Sequence, residues 1–254
     1  MMLPRTPSFR LDGKRAVVTG GSRGIGLGCA VALAEQGASV VIVARSKGQV
    51  FETVNEMKSE GFSVSGAPMD VSIIDNVKNL MDEYSDIDIL VNSAGIARHT
   101  SAVDTTEADF DDVMSVNVRS AYFLAQAAAK KMISKGVGGS IIQISSQMAH
   151  VGGIDRAVYC GTKHAIEGIN KSMAMEFGPH KIRVNSICPT FIRTPFTELT
   201  FKDPEKVKWI ESKIKVGRVG EVEDIMGAVK FLASDMSAMV TGSSILIDGG
   251  WTAG

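Results

Sequence analysis

Tyr159 and Lys163 stand four residues apart in the run Val158-Tyr159-Cys160-Gly161-Thr162-Lys163. On a helix that spacing puts both side chains on one face, so both can reach one ligand. A free phenol has a pKa of about 10 and is a poor acid or base at neutral pH. A neighbouring ammonium favours the phenolate and draws that value towards working pH, which suits general acid–base chemistry. Ser146, just after an apolar run over 140–145, offers a hydroxyl to a substrate oxygen. Taken singly, each has a plain structural reading, since Tyr–Lys pairs at this spacing arise by chance and serines after strands form turns. The combination raises the odds of chemistry.

A second group of residues suits a phosphate. Thr19-Gly20-Gly21-Ser22-Arg23-Gly24-Ile25-Gly26 lies between a first apolar run and a first helical pattern. Glycines there allow a sharp turn and close backbone approach, and the following helix offers free N–H groups to a pyrophosphate. The spacing is Gly-x-x-x-Gly-x-Gly with no Gly-Lys-Ser/Thr ending, which disfavours a P-loop nucleotidase. In dinucleotide-binding folds the residue selecting the adenosine ribose lies about 20 residues on. Here that stretch reads Val43-Ala44-Arg45, with no carboxylate. Arg45 and Arg23 could converge on a 2′-phosphate. Alternatively both face solvent, or Arg45 stacks on adenine. The expectation is NADP(H), with NAD(H) open.

The elements that must position these groups alternate along the chain. Strands are expected over 14–19, 39–44, 63–69, 87–92, 140–145, 182–187 and 244–247, and helices over 25–36, 50–60, 73–84, 107–135, 157–177 and 222–233. Such alternation predicts an α/β fold, a single-domain Rossmann-type doubly wound parallel sheet with helices on both faces, spanning 1–254. The segment 189–218 is least regular and carries Phe191, Phe196, Phe201 and Trp209. It reads either as a substrate lid or as a surface helical hairpin with its own small core.

Hydrophobic residues make up 44% of the chain and the net charge is -1, so bulk electrostatics gives no support for nucleic acid or an anionic membrane as partner. Cys29, Cys160 and Cys188 form no disulfide framework or zinc set and read as buried thiols in a reducing compartment. No apolar run reaches the length of a membrane span and the first ten residues show no signal-peptide core, so a cytoplasmic location is expected. His99, His150, His164 and His180 show no metal-binding spacing, so no metal is expected.

Together, Thr19–Gly26, Asn92-Ser93-Ala94-Gly95, Asn117, Ser146, Tyr159 and Lys163 resemble the motif set of the short-chain dehydrogenase/reductase family, in family order and over nearly the whole chain. The resemblance implies a nicotinamide-dependent oxidoreductase acting on an alcohol or ketone. It implies Tyr159 as general acid/base, Lys163 on the nicotinamide ribose and lowering the phenol's pKa, Ser146 on the substrate oxygen, and Asn117 supporting a water-mediated proton relay. It likewise implies Asp70 with Val71 at the adenine, Asn92, Ala94 and Gly95 along the cofactor, and Ile192 and Thr194 at the carboxamide. Ser93 and Thr190 depart from the family pattern, Thr190 where glycine usually follows the proline corresponding to Pro189.

Arg98, His99, Gln147, His150, Arg156 and Arg193 are the candidate substrate rim. That polar, partly cationic set suits a polyol, sugar or sugar acid. The rival is a 3-oxoacyl-thioester reductase. An epimerase or dehydratase of nucleotide sugars is disfavoured by the short C-terminal portion, and an inactive nucleotide-binding regulator by the intact Ser146, Tyr159, Lys163 and Asn117. The resemblance also implies a homotetramer. Ala125, Ala127, Ala128, Ala129 and Ala174 are expected either to let helices of different subunits approach or to pack on their own sheet.

Overall fold

Runs of β-branched and small residues such as Ser-Val-Val-Ile-Val-Ala favour extended backbone, and their apolar character on both faces requires cover on both sides. The computed structural model describes residues 3–254. Among these, seven strands form one sheet: β1 Arg15–Thr19, β2 Ser39–Ala44, β3 Val64–Pro68, β4 Ile89–Asn92, β5 Gly139–Ile144, β6 Ile182–Pro189 and β7 Ser244–Ile247. All pairs are parallel, and the order across the sheet is β3-β2-β1-β4-β5-β6-β7.

The helices are α1 Gly24–Glu35, α2 Lys47–Ser59, α3 Ile74–Glu83, α4 Glu107–Met114, α5 Ala121–Lys135, α6 Ala157–Phe177, α7 Glu198–Phe201, α8 Pro204–Lys213 and α9 Glu223–Ala233. One face of the sheet packs a core containing Cys29, Leu33, Val50, Ile225 and Leu232 from α1, α2 and α9. The other packs Leu80, Leu124, Met132 and Met173 from α3, α5 and α6. Each such buried aliphatic side chain contributes roughly 1.5–3 kcal/mol relative to exposure.

The chain leaves β1 towards β2 on one side and reaches β4 on the other, so a crevice opens at the strands' C-terminal ends beside β1. Thr19 pairs with Asn92, and Asn92 with Gln143, which brings the ends of β1, β4 and β5 to one edge.

One expectation changes here. The helical pattern over 107–135 is not one α-helix: a π-helical segment, Ser115–Ser120, separates α4 from α5. It carries Asn117, whose buried side chain bonds the backbone of Ile96, and Ser120, which donates to the Val116 carbonyl. Such widened turns accommodate a side chain that a regular helix would not aim inward. The alanines, moreover, face their own core: Ala125, Ala128, Ala129 and Ala174 are buried within it and Ala127 packs against it. Of the two readings offered for them, packing on their own sheet is the one the single chain displays, with Ala127 only half-buried.

The segment after β6 has the small core of the helical-hairpin reading and also borders the crevice. Ile210, Ile214 and Val219 form a small core with Phe191, Phe201 and Trp251, while Phe191 and Phe196 also face the crevice. Among the described residues no helix is long and apolar enough to cross a membrane.

Candidate active site

The turn after β1 is shaped for a close-approaching ligand. Gly20 has φ +66°, and a Cβ there would lie 2.9 Å from the Ala94 nitrogen and the Ser93 carbonyl oxygen. A Cβ at Gly26 would collide with the Gly20 carbonyl. The Thr19 hydroxyl accepts from the backbone nitrogens of Ser93 and Ala94 at 3.2 and 3.3 Å, tying this turn to the end of β4. No side chain caps the N-terminus of α1 and no acid lies in its first turn, so its N–H groups and dipole are available to an anion.

The crevice has a volume of about 730 Å³. At the adenosine end of such a site its walls include Arg23, Arg45, Ser46, Asp70 and Val71. Ser46 caps α2, accepting from the Gln49 nitrogen. Burial pushes the Asp70 carboxyl up, but hydrogen bonds from the Ser72 hydroxyl and nitrogen, helped by the Arg45 charge, leave it below its ordinary value. Asp70 is the one carboxylate among the crevice-lining residues.

Ser146, Tyr159 and Lys163 meet at the middle of the crevice. Ser146 sits just past β5, its hydroxyl accepting from the Met148 nitrogen at 3.1 Å. Tyr159 and Lys163 lie one turn apart near the start of α6. The Lys163 Nζ donates to the Ile144 carbonyl at 2.9 Å and lies 5.6 Å from the Tyr159 ring centre. Burial pushes the Tyr159 phenol up to about 12, opposed by a hydrogen bond with Ser146. Burial pushes Lys163 down to about 8, opposed by the negative potential of Cys188 and Glu167.

Asn92 and Asn117 stand behind the crevice wall. The Asn92 amide donates to the Ala121 carbonyl at 3.1 Å. Asn117 holds Ile96 through both its backbone groups at 2.9 Å, and its amide also donates to the Thr162 hydroxyl at 3.3 Å. It therefore fixes the loop after β4 to the helix that carries Tyr159.

The candidate rim divides. His99, Gln147 and Arg156 line the crevice; Arg98, His150 and Arg193 do not. Arg98 pairs with Asp112 at 2.7 Å and Asp109 at 3.5 Å on α4. Arg193 pairs with Glu221 at 3.3 Å and lies over Phe201. His150 is exposed and lies beside Glu167 and Cys188. Arg156 stacks 5.9 Å from the Phe191 ring centre and donates to the Ile154 carbonyl. Burial lowers His99, with Arg156 and Lys206 adding to the effect.

Gln147 is 1% exposed, and neither its amide nitrogen nor its oxygen has a partner among the described residues; the buried Thr190 hydroxyl is likewise unpaired. Both line the crevice. Pro189, Ile192 and Thr194 line it, joined by Phe191 and Phe196 of the segment read as a candidate lid and by Pro195, Thr197 and Thr200, which sequence reasoning did not single out. Their signal was position, directly after a strand's C-terminal end.

A sequence profile described as Enoyl-(Acyl carrier protein) reductase matches residues 20–252. The chain is 39% identical to 2-dehydro-3-deoxy-D-gluconate 5-dehydrogenase of Escherichia coli (strain K12), over 97% of this chain and 98% of that protein. It is 37% identical to L-xylulose reductase of Bos taurus, over 96% and 99% respectively. Among solved structures, a gluconate 5-dehydrogenase from Burkholderia cenocepacia J2315 in complex with NADP and tartrate superposes with a TM-score of 0.93 at 35% identity, covering 97% of this chain and 98% of that one. With the sheet order, the glycine turn and the Ser–Tyr–Lys cluster all agreeing with these matches, the chain belongs to the short-chain dehydrogenase/reductase family.

Proposed function

We propose that this oxidoreductase uses NADP(H) to interconvert a hydroxyl and a keto group on a polyol, sugar or sugar acid. The observation that carries the substrate class is Gln147. Gln147 lines the crevice with an amide that no described residue partners, and polar groups of this kind in a site discriminate against bare hydrocarbon. Thr190 adds an unpaired hydroxyl, and Arg156 adds a cation suited to a carboxylate. The relatives named above act, by their names, on gluconate derivatives and xylulose.

The cofactor fits the residues present. Gly20, Ser22, Gly24, Ile25, Gly26 and the free N-terminus of α1 would hold the pyrophosphate, and Arg23, Arg45 and Ser46 the 2′-phosphate. Asp70 and Val71 would meet the adenine, Asn92 to Gly95 would back the ribose side, and Pro189, Ile192 and Thr194 would meet the carboxamide. When bound, the nicotinamide gives or takes the hydride. Tyr159 gives its phenolic proton to the ketone oxygen in reduction and recovers it in oxidation, while Ser146 holds that oxygen by a hydrogen bond. Lys163 binds the ribose and steadies the phenolate through its charge. Asn117 keeps the loop after β4 and α6 in register and supports proton supply to that pair.

The segment 189–218 serves as a lid, its inner side given by Phe191, Phe196, Thr197 and Thr200. The protein assembles as a homotetramer and works in the cytoplasm, where its three free thiols stay reduced.

A panel of keto-sugars, keto-acids and an acetoacetyl thioester, followed by NADPH absorbance, tests the reading. Reduction of polyhydroxylated ketones is expected. Turnover confined to the thioester overturns it in favour of a 3-oxoacyl-thioester reductase, the activity class nearer the matched profile's description.

A further inference from the structure

His150, Glu167 and Cys188 are far apart in sequence and come from three elements. His150 ends the short turn after β5, Glu167 lies one turn beyond Lys163 on α6, and Cys188 is the penultimate residue of β6. Their potential ligand atoms all lie within 4.8 Å of one another. We infer that these three side chains, none of which lines the cofactor crevice but which lie behind its Tyr159–Lys163 wall, form a binding site for one thiophilic divalent cation of the zinc class.

Three observations carry this. The first is spacing. A tetrahedral zinc with a sulfur ligand at about 2.3 Å and an oxygen ligand at about 2.1 Å separates those two atoms by roughly 3.6 Å. The Cys188 Sγ and the Glu167 Oε1 are 3.6 Å apart. His150 is exposed, so its ring can turn in to close the set, and the same exposure provides an entry path and a fourth position for water.

The second is the supporting shell. The other oxygen of Glu167, Oε2, accepts from the Ser186 hydroxyl at 2.8 Å and from the Ser244 hydroxyl. These bonds fix the carboxylate and leave Oε1 facing the sulfur, as outer partners do around a metal-binding carboxylate.

The third is charge. Glu167 is 7% exposed and takes part in no ion pair among the described residues; its partners there are hydroxyls and a thiol. Lys163, one turn back, couples to this carboxylate only at longer range; a buried carboxylate without a contact counter-charge is costly, and a cation at Oε1 removes that cost. Thiolate, imidazole and carboxylate together select zinc-like ions over magnesium or calcium, which prefer an all-oxygen set. The histidines lacked a metal spacing in sequence because the ligands come from different elements.

The site is tested by binding, independently of turnover. Chelator-stripped protein is dialysed against Zn²⁺ and its metal content measured, and Cd²⁺ is titrated while the ultraviolet thiolate-to-cadmium charge-transfer band is followed. One equivalent per chain is expected, with a Cd²⁺ band. Cys188→Ser should abolish the band, and both it and His150→Gln should weaken Zn²⁺ binding by roughly tenfold or more. His150 is on the surface, so that variant reports even if Cys188→Ser folds poorly. Absence of a stoichiometric equivalent and band in the wild type, or Zn²⁺ affinity unchanged in His150→Gln, overturns the site.

Discussion

Burial drives both Tyr159 and Lys163 towards their uncharged forms, the phenol up to about 12 and the amine down to about 8. The expectation that the lysine alone brings the phenol towards neutrality therefore omits the larger effect of enclosure. A protonated phenol at neutral pH is ready to act as an acid, which suits the reductive direction. Tyr159→Phe should leave NADPH affinity near normal and lower kcat by roughly 10²–10⁴-fold; a near-normal rate rules out its role. The lysine gives a pH test whose sign follows from its lowered value. The ammonium is present below about pH 8 and is lost above it. If it binds the ribose, the NADPH dissociation constant should be flat below pH 8 and rise above it. Lys163→Met should bind more weakly at pH 7 and show no such rise. Fluorescence titration across pH 6.5–9.5, roughly the window centred on that value, decides this. At this scale Ser146, Tyr159 and Lys163 were legible because their chemistry travels with residue type and spacing. Arg98 and Arg193 were not, because Asp109, Asp112 and Glu221 claim them through contacts that no local pattern announces.

The strands were legible because β-branched runs leave few alternatives: 39–44 and 244–247 match β2 and β7 in full, and 157–177 matches α6. The π-helical Ser115–Ser120 was not legible, because the apolar stripe runs through it and the widened turn depends on Asn117 reaching Ile96. The ends of elements matter most for cofactor choice. β2 delivers Arg45 and the cap Ser46 to the crevice with no carboxylate at its end, the nearby Asp70 coming from beyond β3, and Arg23 reaches the same space from the glycine turn. A guanidinium and a helix N-terminus together favour a phosphate over a ribose hydroxyl. The wild type should therefore show a higher kcat/KM with NADPH than with NADH. Arg45→Asp replaces attraction with repulsion and should reverse the order, shifting the ratio by roughly tenfold or more. Wild-type preference for NADH would make Arg45 a stacking or surface residue.

At the scale of the whole molecule, two of the places where apolar side chains stay exposed among the described residues bear on assembly. Tyr122 and Ile133 on α5 are 39% and 38% exposed. Eleven residues is close to three helical turns, so they fall within about 20° of each other on one face. The second place is β7, which pairs only with β6 and exposes Leu246 along an open sheet edge. Scattered exposed apolar residues are ordinary, but an open edge strand is a feature that association covers, and Tyr122 and Ile133 share a face that could join in. If each place paired with itself in a second copy, two different two-fold axes would result, and two such axes close a tetramer. The small residues on these helices do not decide the matter, since most of those alanines pack in their own core, so the larger exposed side chains supply the test. Light scattering of the wild type should give a mass about four times the 27.0 kDa chain. Ile133→Asp and Leu246→Glu should each stop assembly at a dimer, and the double variant should be a monomer with an unchanged circular dichroism spectrum. A wild type that is monomeric at micromolar concentration contradicts the two-surface assembly.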